Sequence, residues 1–181
     1  MPRPLAGREA PLDILDVCCA SGRDLVTFTK MGHSAVGLDG VPAFCKMSRE
    51  LSGCEVWEQD LSALDLPCGR FDGIFANACL FHLPRVALPA ALAAFYQALR
   101  PHGILFVSNA HGFGEDKEGW TSGRTPSTRS YVCWLSEETW VANVRGGRLR
   151  THRVVLQAAR QTPSAAAVPR NSVAQEARRE R

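Results

Sequence analysis

The residues with chemistry to offer are three carboxylates, each expected at the carboxyl end of a strand, and the small residues beside the first. Asp16 lies in the apolar run Ile14, Leu15 and Val17, and Cys18-Cys19-Ala20-Ser21-Gly22 follows before a helix that begins near Arg23. Small residues let a ligand approach the backbone, and a helix start turns free amides toward it. Asp39 ends a second run, His33 to Leu38, seventeen residues after Gly22, near the roughly twenty at which such an acid meets ribose hydroxyls. Asp60 ends a third, Glu55 to Asp60, where it can accept from an adenine amino group. Each acid has a plainer reading: Asp39 before Gly40 as a turn, Asp60 as a cap for Leu61 onward. His82 and His111 fall near carboxyl ends of later strands and are candidate bases, or else ordinary loop histidines. The Gly-x-Gly-x-x-Gly seat of a dinucleotide pyrophosphate is missing.

These groups need a scaffold, and the apolar pattern supplies one. Asp24 to Met31 reads as a helix stopped by Gly32, and Pro42 to Leu51 as another with Phe44, Met47 and Leu51 on one face. Arg70 to Ala78 holds a fourth strand around Ile74-Phe75-Ala76; a helix over Leu88 to Leu99 is broken at Arg100-Pro101-His102-Gly103, and Ile104 to Ser108 is a fifth strand. Alternation of strand and helix predicts an α/β, doubly wound, mostly parallel sheet with ligands beyond the carboxyl ends of its strands.

At 181 residues and 45% hydrophobic content the chain suits one domain with a real core. Residues 1–11 read as a flexible leader, 12–144 as the domain and 145–181 as a basic, low-complexity, disordered tail. No run approaches a membrane span and the start lacks a signal peptide's apolar core, so a cytoplasmic location and no membrane partner are expected. Seven cysteines without a Cys-x-x-Cys pair argue for free thiols, against a disulfide framework and against a metal site. From Arg145 onward nine Arg face two Glu, a net +7, which leaves −4 for the first 144 residues. Such a tail is either a nucleic-acid arm or a solvated terminus.

The motifs also carry a family resemblance. Asp16-Val-Cys-Cys-Ala-Ser-Gly22 resembles the Asp-x-Gly-x-Gly-x-Gly motif of class I S-adenosylmethionine-dependent methyltransferases, with Cys18 and Ala20 in the first two glycine positions and Gly22 in the third. Gly37-Leu-Asp39 is similar to that family's ribose-binding strand end, Gln59-Asp60-Leu61 to its adenine-contacting motif, Phe71 to His82 to its fourth motif, and Leu99-Arg-Pro-His-Gly103 to the turn before strand five. The resemblance implies a Rossmann-like fold of the class I methyltransferase type and S-adenosylmethionine as cofactor. Asp16, Cys18, Ala20, Gly22, Asp39, Asp60, Leu61 and Asn77 then line its site, Asn77 in the donor pocket rather than in chemistry. Methyl transfer of this kind rests on alignment and needs no metal.

Two departures stand out. Cys18 sits where a glycine's positive φ or a close approach to the donor is needed, and only about eleven residues stand where the family has a covering helical segment. Glu118-Gly-Trp120 still resembles a family segment, and Tyr131 to Val144 reads as a last strand and helix. The family's two closing antiparallel strands are not recognisable, so the C-terminal edge is expected to be incomplete or atypical. Shifted by one base, codons allowed by Leu149 to Gln175 permit Phe-Glu-Leu, Tyr-Tyr-Arg-Pro-Pro-Gly, Gln-Gln-Pro and Val-Trp-Arg, similar to the end of some bacterial members. A frameshift near Arg145 is therefore expected. The function implied is methyl transfer to a small-molecule acceptor, with nucleic acid not expected. The alternatives are a catalytically silent binding domain, and a nucleic-acid methyltransferase using the tail.

Overall fold

The computed structural model describes residues 11–110, 115–122, 129–146, 150–157 and 172–178. Five parallel strands, β1 (Asp13–Val17), β2 (Ser34–Asp39), β3 (Glu55–Glu58), β4 (Phe71–Asn77) and β5 (Leu99–Ala110), alternate with helices α1 (Arg23–Lys30), α2 (Pro42–Ser52) and α3 (Leu88–Ala98). After β5 come β6 (Lys117–Ser122), β7 (Arg129–Trp134), α4 (Glu137–Gly146), β8 (Arg150–Gln157) and β9 (Ser172–Arg178). The main sheet runs β3-β2-β1-β4-β5-β9-β8, and β6 with β7 forms a separate antiparallel hairpin. Strand order reverses between β1 and β4, so the crevice for a ligand opens beyond their carboxyl ends.

The alternation within β1 explains its place at the centre. Leu15 and Val17 face one layer with Leu92, Phe95, Leu105 and Trp140, whereas Ile14 faces the other with Leu25, Phe28, Cys45 and Phe75. Ile14 and Leu15 are wholly buried, and burial on this scale stabilises by roughly 1.5–3 kcal/mol per side chain. Phe75 stacks on Phe106 at 4.9 Å and meets Phe28 edge-on at 5.3 Å, which seats α1 against the sheet. At the amino ends, Arg100 bridges Asp13 at 2.7 Å and Asp72 at 2.6 Å, tying the starts of β1, β4 and β5 together.

Several expectations change. Phe44, Met47 and Leu51 share a face of α2, but that face is 40–56% exposed, and Cys45 and Ser48 are the helix's buried residues. Helical spacing marks a face without saying which way it points. The residues Arg100 to Gly103, expected as a break before the fifth strand, lie within β5, where its register with β4 shifts and His102 takes φ +63°.

Two stretches of the expected disordered tail are strands. β9 pairs antiparallel with β5 over Ser172–Arg178, and β8 pairs with β9, extending the sheet to seven strands. The free edge of β5 presents unpaired amides and carbonyls, and a ladder satisfies them whatever the side chains. Arginine-rich composition therefore concealed both strands. Residues 147–149, 158–171 and 179–181 of the same segment, and 1–10 of the leader, lie outside the described residues.

Candidate functional site

Beyond the carboxyl end of β1 the chain turns sharply into α1. Cys18 and Ala20 hold φ +56° and +48°, and Gly22 holds +83°. The left-handed region costs a residue with a Cβ about 1–2 kcal/mol, so two of three left-handed positions lack the residue that fits them best. Only Gly22 is sterically obligatory: a Cβ there would stand 2.6 Å from Ser48 Oγ and 3.0 Å from the Ser48 backbone. It is the N-cap of α1 and brings no side chain to the first-turn amides, which leaves them for a ligand.

Asp39 shapes this turn. It is 5% exposed, and its two oxygens accept hydrogen bonds from the Ala20 amide at 3.0 Å and the Val41 amide at 2.9 Å. The carboxylate thus clasps the β1 turn to the start of α2, and the remaining lone pairs are what it can offer to ribose hydroxyls. Its order is supported from behind, where the Cys45 thiol donates to the Asp39 carbonyl at 3.2 Å and Cys19 Sγ meets Ser48 Oγ at 3.4 Å.

Asp16 is different in kind. It is 2% exposed, and its Oδ2 has no hydrogen-bond partner among the described residues. Burial, together with the nearby charges of Asp24 and Asp39, pushes its carboxyl up to about 8. An acid in that condition lacks a cation.

The other expected residues are placed less centrally. Asp60 is exposed, and its Oδ1 accepts from the amide and hydroxyl of Ser62, both at 2.7 Å, which holds a turn where a helix cap is one expectation. Leu61 packs partly buried against the core. Asn77 is exposed at the end of β4 and accepts from the Ser108 hydroxyl on β5. His111 lies outside the described residues.

His82 closes a short 3-10 helix, Leu80–His82, after β4, and its Nδ1 lies 2.9 Å from the Tyr131 carbonyl on β7. A carbonyl only accepts, so Nδ1 carries the proton and Nε2 of the neutral ring is left as the acceptor. A cluster that sequence reasoning missed fixes this hairpin. The Tyr131 hydroxyl donates to Glu118, which also accepts from the Arg85 amide at 2.8 Å, and the Arg85 guanidinium pairs with Asp116 at 3.0 Å. The bond to Glu118 pushes the Tyr131 hydroxyl up to about 12. Trp120, 63% exposed, meets Tyr131 edge-on at 5.6 Å and lies under the Arg129 guanidinium at 5.6 Å. The partners are between 9 and 49 residues apart, so no helical or strand spacing could have signalled them.

A further proximity was also invisible in the spacing. Cys18 and Cys79 stand just past the ends of the paired strands β1 and β4, where Val17 is opposite Ala76. The neighbouring Cys18 thiol and burial together hold the Cys79 thiol well above its ordinary value.

Comparison with known proteins agrees with this architecture. Residues 14–103 match the family model described as methyltransferase domain. A curated relative, an uncharacterized methyltransferase of Synechocystis, is 28% identical over 100 residues, covering 54% of this chain and 47% of its own. The chain thus spans about half the length of that relative. A S-adenosylmethionine-dependent methyltransferase from Methanosarcina mazei superposes with a TM-score of 0.85 at 14% identity, covering 99% of this chain and 98% of its own. The 1,6-didemethyltoxoflavin-N1-methyltransferase of Burkholderia thailandensis, solved with 1,6-didemethyltoxoflavin and S-adenosylhomocysteine, superposes with a TM-score of 0.72 at 22% identity, covering 94% of this chain and 72% of its own. Sheet order, the Asp16 to Gly22 turn and the matched family model agree: residues 14–103 match the methyltransferase-domain family, on the fold shared by the S-adenosylmethionine-dependent methyltransferases that superpose on the chain.

Proposed function

We propose that the protein transfers a methyl group from S-adenosylmethionine to a small-molecule acceptor. The observation that carries this reading is Asp16, a buried carboxyl group whose Oδ2 has no partner among the described residues, beside a turn of small residues. The donor is cationic at its α-ammonium, and an ammonium supplies the partner that Asp16 lacks. The fit extends to the rest of the corner: Gly22 and the first amides of α1 for the amino-acid part, Asp39 for the ribose, and Leu61 and Asp60 for the adenine side.

Bound there, S-adenosylmethionine supplies a methyl group on a sulfonium, an electrophile that needs no further activation. The residues of this chain then have two tasks. The first is alignment, and the clasp of Asp39 on Ala20 and Val41 holds the donor turn rigid for it. The second applies to an acceptor that must lose a proton, for which His82 Nε2 is the available base and the Tyr131 carbonyl fixes its tautomer. Support for a small acceptor comes from the hairpin, which sets the exposed Trp120 and the Tyr131 ring beside the short helix carrying His82. The B. thailandensis structure, solved with 1,6-didemethyltoxoflavin bound, points the same way.

Calorimetry of the full chain with S-adenosylhomocysteine tests the reading. Binding in the micromolar range is expected, and no heat at high micromolar ligand refutes it. A catalytically silent domain is the second reading, favoured by the side chains at the left-handed positions of Cys18 and Ala20. On that reading Cys18→Gly restores donor binding to a protein that otherwise has none. Nucleic-acid methylation requires salt-sensitive binding to DNA or RNA that is lost when residues 145–181 are removed.

A further inference from the structure

A methyl donor accounts for the turn after β1 but leaves the hairpin of β6 and β7 unexplained. The hairpin follows the carboxyl end of β5, and its Tyr131 carbonyl is bonded to His82 just past the carboxyl end of β4, so it stands at the ligand end of the sheet. Trp120 is opposite Tyr131, and Arg129 is two residues from Tyr131 along β7, which puts the three side chains on one face. At the inner end of that face Cys133 packs into the core. Toward the loop the face opens: Tyr131 is half-buried, Trp120 is 63% exposed and Arg129 is exposed.

Shape and charge then define what fits. The Trp120 and Tyr131 rings meet at 80° with centroids 5.6 Å apart, an inside corner in which a flat ring stacks on one and meets the other edge-on. The Arg129 guanidinium lies 5.6 Å from the Trp120 centroid, and no carboxylate among the described residues is within ion-pair reach of it. Glu118, on the same face, is engaged by the Tyr131 hydroxyl and the Arg85 amide, and Asp116 by the Arg85 guanidinium and the Ser136 amide. The connecting segment 123–128 adds Arg124 and no acid. A guanidinium fork beside an exposed indole selects a planar anion.

We propose that this corner is the acceptor subsite and that the acceptor is a flat aromatic or heteroaromatic acid, its ring packed on Trp120 and Tyr131 and its carboxylate paired with Arg129. What the subsite is for rests on the methyl-transfer reading above; the binding itself does not. Tyr131 joins the platform to the candidate base, since its ring meets Trp120 and its carbonyl holds His82 Nδ1 at 2.9 Å. The other side of His82 is set by Phe81, whose ring lies 4.1 Å away and whose amide donates at 3.2 Å to Asn109, buried near the end of β5. His82 Nε2 takes the proton from a hydroxyl or N–H of the acceptor ring. The freed lone pair bonds the methyl carbon while the carbon–sulfur bond breaks toward sulfur, leaving a neutral thioether, and the imidazolium releases its proton to water.

Ligand-observed NMR of the full chain with S-adenosylhomocysteine present compares three probes of similar size: naphthoate, its neutral amide, and the saturated decalin carboxylate. Naphthoate is expected to bind about tenfold more tightly than either of the others. Trp120→Ala should remove the preference for the flat ring, Trp120→Phe should keep it, and Arg129→Gln should remove the preference for the anion. S-adenosylhomocysteine affinity should be the same in all three variants, because both side chains stand on the hairpin and not on the donor turn. No naphthoate binding at millimolar concentration, equal binding of the three probes, or preferences that survive these substitutions overturns the proposal. If S-adenosylhomocysteine does not bind the wild type, the donor reading fails, and the same probes without it still decide the subsite.

Discussion

Replacing Asp16 with Asn separates stability from ligand binding. The Asp16 carboxyl is raised from an ordinary 3.8 to about 8, chiefly by burial. Between those values the folded protein keeps a proton that the unfolded chain has released, so stability falls as pH rises. The associated stability is fully present below about pH 4 and is lost progressively until pH passes about 8. One pH unit corresponds to about 1.4 kcal/mol, and at pH 7 the gap is about three units, so the upper bound on the cost of keeping Asp16 is about 4 kcal/mol. Asparagine has the shape of the protonated acid and needs no proton. Asp16→Asn should therefore stabilise the ligand-free protein by about 2–4 kcal/mol at pH 7 and by nothing at pH 4. Urea unfolding at pH 4, 5.5, 7 and 8 reads this directly. The same variant should bind S-adenosylhomocysteine about 10- to 100-fold more weakly at pH 7, because an amide cannot balance the ligand's ammonium. A stability difference that does not change with pH would refute the account of Asp16. Unchanged affinity would refute its role as the ammonium partner while leaving the titration intact.

Other perturbations probe the rest of the corner. Gly22→Ala combines a left-handed backbone with a Cβ 2.6 Å from Ser48 Oγ and should cost about 2–4 kcal/mol by thermal or urea unfolding. Adding Ser48→Ala should return only part of that, since the Ser48 backbone contacts at 3.0 Å remain. Asp39→Asn turns one acceptor of the clasp into a donor facing an amide, with an expected loss of about 1–3 kcal/mol; unchanged stability would mean the clasp is not intact in solution. At high pH, long-range proton–nitrogen NMR should find the His82 proton on Nδ1, and a proton on Nε2 would remove His82 as the candidate base. The coding sequence near Arg145 should contain a position where a one-base shift yields a family-like end, and the reading-frame proposal fails if none does.

Local pattern carried much of this protein. Five apolar runs separated by amphipathic segments dictate a parallel α/β sheet, because only that arrangement buries such runs on both faces. Gly22, Asp16 and Asp39 were legible for the same local reason: a tight turn after a strand needs small residues, and acids at strand ends fall at the ligand edge. What depends on partners far along the chain was decided by tertiary structure alone. Strand pairing brings Cys18 and Cys79 to neighbouring strand ends, and the packing of α1 and β2 leaves Asp16 Oδ2 without a hydrogen-bond partner among the described residues and engages both oxygens of Asp39. The outward apolar face of α2 was beyond pattern, because periodicity is the same whether a stripe meets the core or solvent. So was the edge formed by β9 and β8, since a backbone ladder asks little of its side chains and leaves little trace in composition.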